Sequence, residues 1–490
     1  MKALADLVWK IPIVSILGDV NIPISSVCFD SRKAEPGTLF VAIRGTTDDG
    51  HKYIPNVIRN GVSAIVCEEM PDSIRQDITY VITGDSSLAL GLICSELYGR
   101  PSRKLTLIGV TGTNGKTTTA TLLYQLFRKL GHNAGLISTV AYYVNDKKSE
   151  ASHTTPDPVQ LNALLADMVK DGCEYCFMEV SSHSVAQQRI AGLQFAGGIF
   201  SNLTHDHLDF HKTFAEYLKA KKKFFDSLPD TSFALINKDD RNGPVMVQNT
   251  KASVKTYALR SMADFRCRVA EHHFDGMQLA IDGKEVWMRF IGEFNAYNLL
   301  AVYSAAVLLG QNPEETLTAM STLTSVDGRF EFIRSDNNIT AVVDYSHTPD
   351  ALENALKALH GILPGKTSNI ITVAGCGGDR DKTKRPEMAK IAARNSSRVI
   401  LTSDNPRSEE PEAIINDMLA GLDAEDRRKT IAITDRREAI RTACMMAAPG
   451  DVVLIAGKGH ETYQIVKGVK SHFDDREVAR EAFGLKVGKG

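Results

Sequence analysis

A chain of 490 residues with 43% apolar side chains can build several cores, and about 150 residues per domain predicts three of them. Its 57 lysines and arginines stand against 59 acidic residues, a formal net charge of -2, which excludes a global field that would draw in nucleic acid or an anionic membrane. No apolar run reaches the length of a membrane span, the N-terminus lacks the apolar core and cleavage site of a leader, and eight cysteines lie scattered without the spacing of a disulfide framework. A cytoplasmic protein with reduced thiols and no membrane insertion is expected; Cys173 and Cys176 form a C-x-x-C that reads as packing in a buried strand.

The first hundred residues offer strands at Leu39 to Ile43, Ala64 to Cys67 and Ile78 to Ile82, then a helix from Ser87 to Leu97. Gly99-Arg100-Pro101-Ser102 supplies a helix stop and a linker, so 1–100 is read as a small α/β domain.

An apolar strand, Leu105 to Val110, then runs into Gly112-Thr113-Asn114-Gly115-Lys116-Thr117-Thr118 at the start of a helix, Thr117 to Leu130. The two glycines reach backbone angles that let successive N–H groups curl round phosphate oxygens, with the positive helix end behind them. Lys116 suits the outer phosphates and the Thr117 hydroxyl suits magnesium. The general phosphate-loop pattern wants its first glycine where Val110 stands, and Gly109 comes one place early; a plain strand-to-helix turn with an exposed lysine is the bland alternative.

Strands at Tyr175 to Val180 and Gly198 to Phe200 continue a mainly parallel sheet, a hairpin is expected at Ile281-Asp282-Gly283-Lys284, and Asn295 to Leu309 reads as an amphipathic helix, giving a second domain over 101–330. Glu179 ends its strand beside the phosphate loop, as a magnesium ligand or as a cap for the helix that follows. Three histidines and two aspartates crowd Asn202 to His211, where His207 is the candidate ligand for magnesium rather than zinc. Lys219, Lys221, Lys222 and Lys223 read as a solvated helix face.

The third domain, 331–490, repeats strand and helix, with strands at Thr340 to Val343, Ile370 to Ala374, Arg398 to Leu401, Ile431 to Thr434 and Val452 to Ala456. Ligands sit at the carboxyl ends of such strands. There the chain places Gly375 to Arg385, Ser403-Asp404-Asn405-Pro406-Arg407 and Gly457-Lys458-Gly459-His460-Glu461, cations and acids that together suit a zwitterion. The Gly375-x-Gly377-Gly378 spacing does not fit a dinucleotide fingerprint, which argues against a nicotinamide cofactor. Alone, Asp404 to Arg407 would be an Asx-Pro turn.

Taken in order, Thr111 to Thr118, Asn202 to His207, Asn295-x-x-Asn298, Gly328-Arg329 and Asp344 to Pro349 resemble the Mur ligases, which build the peptide of the bacterial cell wall. Asp30-Ser31-Arg32, Thr154-Thr155 and Asp404 to Arg407 are similar to the member that adds the third residue. The resemblance implies a three-domain α/β protein: a small N-terminal α/β domain for a UDP-sugar, a central P-loop ATPase-like parallel-sheet domain, and a C-terminal Rossmann-like domain for the incoming amino acid.

It further implies that Gly112 to Thr118, Asn295, Asn298, Arg329 and Asp344 surround ATP, with Thr117, Glu179, His207 and Lys221 on Mg2+, the last if carbamylated. Lys116, Lys221, Glu179 and His207 would be the catalytic group. Ser31, Thr46, Thr47 and Asp48, with Thr154, Thr155, Ser181, Gln187 and Arg189, would hold UDP-N-acetylmuramoyl-L-alanyl-D-glutamate. Arg385, Asp404, Asn405, Pro406, Arg407, Gly457 and Glu461 would hold meso-diaminopimelate. Ser346 stands where the family carries an alanine, a change expected to be harmless. The implied protein is a monomer that joins acid to amine through an acyl phosphate. Competing expectations are a folylpolyglutamate synthase or the ligase adding D-alanyl-D-alanine, against which Asp404 to Arg407 argue, and an ATP-hydrolysing binding protein.

Overall fold

The computed structural model of the chain describes residues 1–45, 48–204, 206, 208–363 and 369–485. Among these, three large sheets follow one another along the chain.

The first has five strands in the order Ile13–Leu17, Thr79–Thr83, Ala64–Cys67, Thr38–Val41, Ser26–Cys28. All neighbours are parallel except Ile13–Leu17, which runs antiparallel at the edge. Helix Ser86–Leu97 covers one face through Ala89, Leu90 and Ile93, and Ile54–Arg59 covers the other through Ile54 and Val57. The edge strand was not anticipated from the sequence. All five of its residues are exposed, so it carries no inward-outward alternation for a periodicity reading to find.

The second sheet has eleven strands, and its middle explains where the chemistry sits. Thr106–Thr111 lies between Tyr175–Glu179 and Gly197–Phe200, parallel to both. Three parallel strands end on one edge, so the loops after Thr111, Glu179 and Phe200 must meet there. Helices Lys116–Lys129 and Glu293–Leu308 cover one face, with Ile108, Val110, Leu123, Phe127, Leu299 and Val302 in the shared core. Pro158–Lys170 and Phe214–Asp226 cover the other with Leu161, Leu165 and Phe224. The expected hairpin is present: Ile281 pairs with Lys284, and Asp282 and Gly283 take φ of 46° and 82°, as a two-residue turn with two positive φ angles requires. The helix expected to be amphipathic from Asn295 is instead buried on nearly every side, from Asn295 through Ala306. Its alanines and serine are small enough to pack all round, which the polar-looking Asn and Tyr positions concealed.

The third sheet runs Glu331–Arg334, Thr340–Asp344, Val452–Ala456, Ile370–Cys376, Arg398–Ser403, Thr430–Ala432, parallel except for the first strand. Helices Pro349–Ile362, Lys384–Arg394 and Pro411–Leu419 pack on one face, Arg436–Met446 and Asp475–Ala482 on the other. The helix expected directly after Val452–Ala456 is preceded by a hairpin, Tyr463–Val466 with Val469–His472. No helix of the described residues is long and apolar enough to cross a membrane.

Candidate active site

The carboxyl ends of the second and third sheets face each other across one cavity of about 680 Å³. On its central side, Gly115 takes φ 86° just before helix Lys116–Lys129, and a Cβ there would collide with the Asn298 carboxamide oxygen. Glycine is therefore required by conformation and by space. The loop is already shaped by bonds from the next strand: Asn202 accepts from the Thr113 N–H with its carbonyl at 2.8 Å and from the Asn114 N–H with Oδ1 at 2.9 Å. Ser201 Oγ donates to the Asn114 carbonyl at 2.6 Å. The first turn of the helix still offers N–H groups without intrahelical partners, and Thr118 lies buried behind them.

Lys116 Nζ donates to the Gly112 and Thr113 carbonyls, at 3.0 and 2.7 Å. Burial lowers its pKa, against the pull of Glu179 and Asp206. Glu179 is fully buried; Oε1 accepts from the Thr139 N–H at 2.7 Å, and Oε2 has no partner among the described residues. The capping alternative for this acid fails, because the helix Ser182–Ala186 is capped by Ser181, whose Oγ accepts from the Ser184 N–H at 3.1 Å. An orphaned carboxylate oxygen beside a phosphate loop is chemically suited to a hard cation, as is the Thr117 hydroxyl. His207 lies outside the described residues, and the described His, Cys, Asp and Glu form no cluster of three that would hold a metal alone.

Lys221 corrects the reading of its run as a solvated face. Lys219 and Lys223 are exposed and Lys222 pairs with Asp226, but Lys221 is 1% exposed and donates to the Gly112 carbonyl at 2.6 Å. Burial, then the neighbouring Lys116 charge, holds its pKa well below the ordinary lysine range.

Arg329 reaches across from the third sheet: its guanidinium stacks over Tyr345 at 4.3 Å and donates to the Thr117 hydroxyl at 3.0 Å. Asp344 accepts from the Phe330 N–H at 2.8 Å and from the Ser346 hydroxyl, and burial raises its pKa. Ser346 thus adds a hydrogen bond that an alanine would lack. Asn298 Nδ2 donates to Asn295 Oδ1 at 3.2 Å, and Asn295 Nδ2 donates to the Ile291 carbonyl at 2.9 Å. Arg329, Asp344, Tyr345, Ser346, Asn295 and Asn298 line the cavity.

Beside Glu179, the Thr155 hydroxyl donates to the Glu179 carbonyl at 2.8 Å, and Thr154 accepts from Thr139 at 3.0 Å. Arg189 donates to the Thr155 carbonyl at 2.8 Å and to Gln187 Oε1 at 2.9 Å. Thr154, Thr155, Ser181 and Arg189 line the cavity; Gln187 only braces the arginine. Ser31, in the turn Ser31–Lys33, and Asp48, which accepts from the Tyr53 hydroxyl at 2.7 Å, stand on the first sheet away from this cavity. Thr46 and Thr47 lie outside the described residues.

On the opposite wall stand Asp404, Asn405, Arg407, Gly457 and Glu461. Arg407 takes φ 53° and is pinned by its N–H on the Ile465 carbonyl at 3.0 Å. Pro406 does not line the cavity, and Arg385 stands behind it, donating to the carbonyl of the lining residue Gly377 at 3.3 Å. Arg385 is 1% exposed, forks Glu409 at 2.8 and 2.9 Å and donates to Asp417 at 2.8 Å. It ties loop to helix. Its partners reach solvent, so the pair is not a fully buried one, but the arginine itself packs between them, and Arg385→Ala should lower the urea midpoint more than Arg407→Ala does. Arg385 holds the Glu409 pKa down to about 2. This contribution is therefore full above the usual carboxylate range and lost as pH falls toward 2, and acid titration of wild type and variant should converge there.

Sequence reasoning passed over the contacts that join the two walls. Asp350 accepts from Asn114 Nδ2 at 2.8 Å, and Lys384 pairs with Asp206. Asp350 sits in the first turn of helix Pro349–Ile362 and reads simply as a helix-start acid, while Asp206 was lost among the histidines around it.

Two doubly wound sheets that share a cavity, one of them presenting a phosphate loop, have the architecture of a nucleotide-dependent ligase. Three family models match in order: the Mur ligase family catalytic domain over 23–86, the Mur ligase middle domain over 110–306 and the Mur ligase glutamate ligase domain over 328–459. The chain belongs to the Mur ligase family. It is 60% identical over 484 residues to the UDP-N-acetylmuramoyl-L-alanyl-D-glutamate–2,6-diaminopimelate ligase of Bacteroides fragilis, covering 99% of this chain and 100% of that one. The protein of the same name from Bacteroides thetaiotaomicron is 59% identical, covering 98% and 99%. A solved structure of a ligase with this name superposes with a TM-score of 0.68 at 32% identity over 99% of both chains. The α/β class with a mainly parallel central sheet, expected from the sequence, holds.

Proposed function

We propose that this chain is the ATP-dependent ligase that joins meso-diaminopimelate to UDP-N-acetylmuramoyl-L-alanyl-D-glutamate in peptidoglycan precursor synthesis, acting as a cytoplasmic monomer. The observation that carries the reading is the shared cavity, with Lys116 and Glu179 on one wall and Asp404, Arg407 and Glu461 on the other. In this reading, 1–100 takes the UDP-sugar, 101–330 the ATP and the dipeptide, and 331–490 the amino acid. Relatives as similar as 60% over the whole chain carry that activity in their names.

An amine and a carboxylate do not condense usefully in neutral water, so the D-glutamyl carboxylate must first be activated. Its oxygen attacks the γ-phosphorus of ATP, the bond to ADP breaks, and an acyl phosphate forms. The amine of the third residue then attacks the acyl carbon, loses a proton, and phosphate departs. The first step presses an anion against a polyanion: two like charges at 4 Å repel by about 4 kcal/mol at an effective dielectric of 20. Lys116, the helix N-terminus and Arg329 oppose that repulsion, so catalysis is mostly positioning and charge stabilisation. Magnesium, when held by Thr117, Glu179 and His207, would screen the phosphate charge. A carbamate on Lys221 would add a carboxylate to that set; an amine whose protonation is disfavoured by burial is the form that reacts with CO2. With 13C-bicarbonate, wild type should show a carbamate resonance that Lys221→Arg lacks; its absence from wild type removes Lys221 from the metal set.

The test supplies purified protein with the UDP-muramoyl dipeptide, ATP, magnesium and either meso-diaminopimelate or L-lysine, and follows phosphate and product mass. Amide product with diaminopimelate is expected. Product with lysine alone, or phosphate released without the dipeptide, overturns the reading.

A further inference from the structure

Lys458 has no exposed surface, yet it stands one shell behind the amino-acid wall. Its Nζ donates to Asn405 Oδ1 at 3.2 Å and to Glu461 Oε2 at 3.3 Å, lies 3.8 Å from Asp404 Oδ1, and sits over the Tyr463 ring at 5.6 Å. Asp404, Asn405 and Glu461 all line the cavity, and Lys458 does not. The path of the chain is built for this. Gly457 takes φ 120°, and a Cβ there would meet Asp404 Oδ2 at 2.6 Å, so glycine lets the backbone pass close enough to tuck the ammonium behind both acids.

Two carboxylates held together away from water cannot both stay ionised without a cation; one of them takes up a proton. We infer that Lys458 is a positioning residue whose ammonium, set between the two acids, keeps Glu461 ionised beside Asp404, so that the pair can receive an ammonium group of the incoming diamino acid. The inference rests on the amino-acid assignment proposed above and adds to it a residue that never touches the substrate.

The surrounding charges do not replace it. Arg436 is packed behind the same loops and its charge reaches both acids, but its fork holds Asp475 at 2.7 and 2.8 Å and it comes within ion-pair range of neither Asp404 nor Glu461. Arg407 donates to the Gly378 carbonyl, and Arg329 is held over Tyr345. Arg380 is exposed on the cavity rim. His460 is pushed down to about 3 by burial and then by Arg329, so it stays neutral. Tyr345, Tyr463 and Cys376 are pushed up by burial and stay neutral too. Burial and Asp404 both push Glu461 up, and Lys458 opposes them. Among the described residues Lys458 is the cation within ion-pair range of both acids.

The experiment is a pH profile of kcat/KM for meso-diaminopimelate with the full chain. Lys458→Met should raise KM for diaminopimelate at least tenfold, leave KM for ATP within about twofold, and move the acid limb upward by roughly one pH unit, because losing the cation raises the apparent pKa of the acid pair. Lys458→Arg, which keeps the charge, should bring the limb most of the way back. Lys458→Gln, still a donor to Asn405, is the second neutral variant should the methionine protein not fold, as judged by its melting midpoint. An acid limb left in place by a neutral variant, or KM for ATP rising as much as KM for diaminopimelate, overturns the inference alone. A wild type that makes no amide from diaminopimelate overturns the functional reading, and this inference with it.

Discussion

Lys116→Ala should reduce amide formation by about 10³-fold, the scale seen when one preorganised charge-stabilising donor is taken from a transition state. The ammonium does two things at once in this structure. It offers the positive charge that the γ-phosphate needs as a carboxylate oxygen approaches, and it closes the phosphate loop through the Gly112 and Thr113 carbonyls. Lys116→Met, of similar length, separates packing from charge: both variants should lose kcat alike if charge dominates. Rapid-quench measurement of the chemical step decides it, and a loss smaller than tenfold in both variants would remove Lys116 from its assigned role.

The second large effect is expected at Arg407. Its backbone is fixed in the left-handed region by the loop and by the bond to Ile465, so the guanidinium is delivered to the cavity rather than left to wander. An arginine fork pairs bidentately with a carboxylate, and an amino acid lacking the distal carboxylate leaves that fork unpaired. Sites built for polar recognition discriminate by roughly 10⁴. Arg407→Ala should therefore collapse kcat/KM for diaminopimelate toward that for L-lysine, with KM for ATP unmoved. Equal loss for the amino acid and for ATP would mean that the arginine supports the fold and not the choice of substrate.

The strands and helices beside the cavity were legible because their apolar runs are buried on both faces and end in polar loops; Tyr175–Glu179 and Thr106–Thr111 are examples. The parallel order then placed the three loops together without further information. What the sequence concealed depends on the third dimension. Lys221 lies in a run with the exposed Lys219 and Lys223, and only the rotation of helix Phe214–Asp226 against the phosphate loop turns it inward. The partners of Arg385, Glu409 and Asp417, lie 24 and 32 residues along the chain, so no local pattern announces that ion pair. Nothing in the spacing of Gly457 to Glu461 tells that the Lys458 side chain points back between two acids.

The chemistry turns on whether the D-glutamyl carboxylate takes the phosphoryl group. Turnover with that carboxylate labelled in heavy oxygen, followed by mass analysis of the released phosphate, measures it. One labelled oxygen is expected to pass into phosphate for each amide made. Phosphate carrying no label, with amide formed at the normal rate, would contradict it.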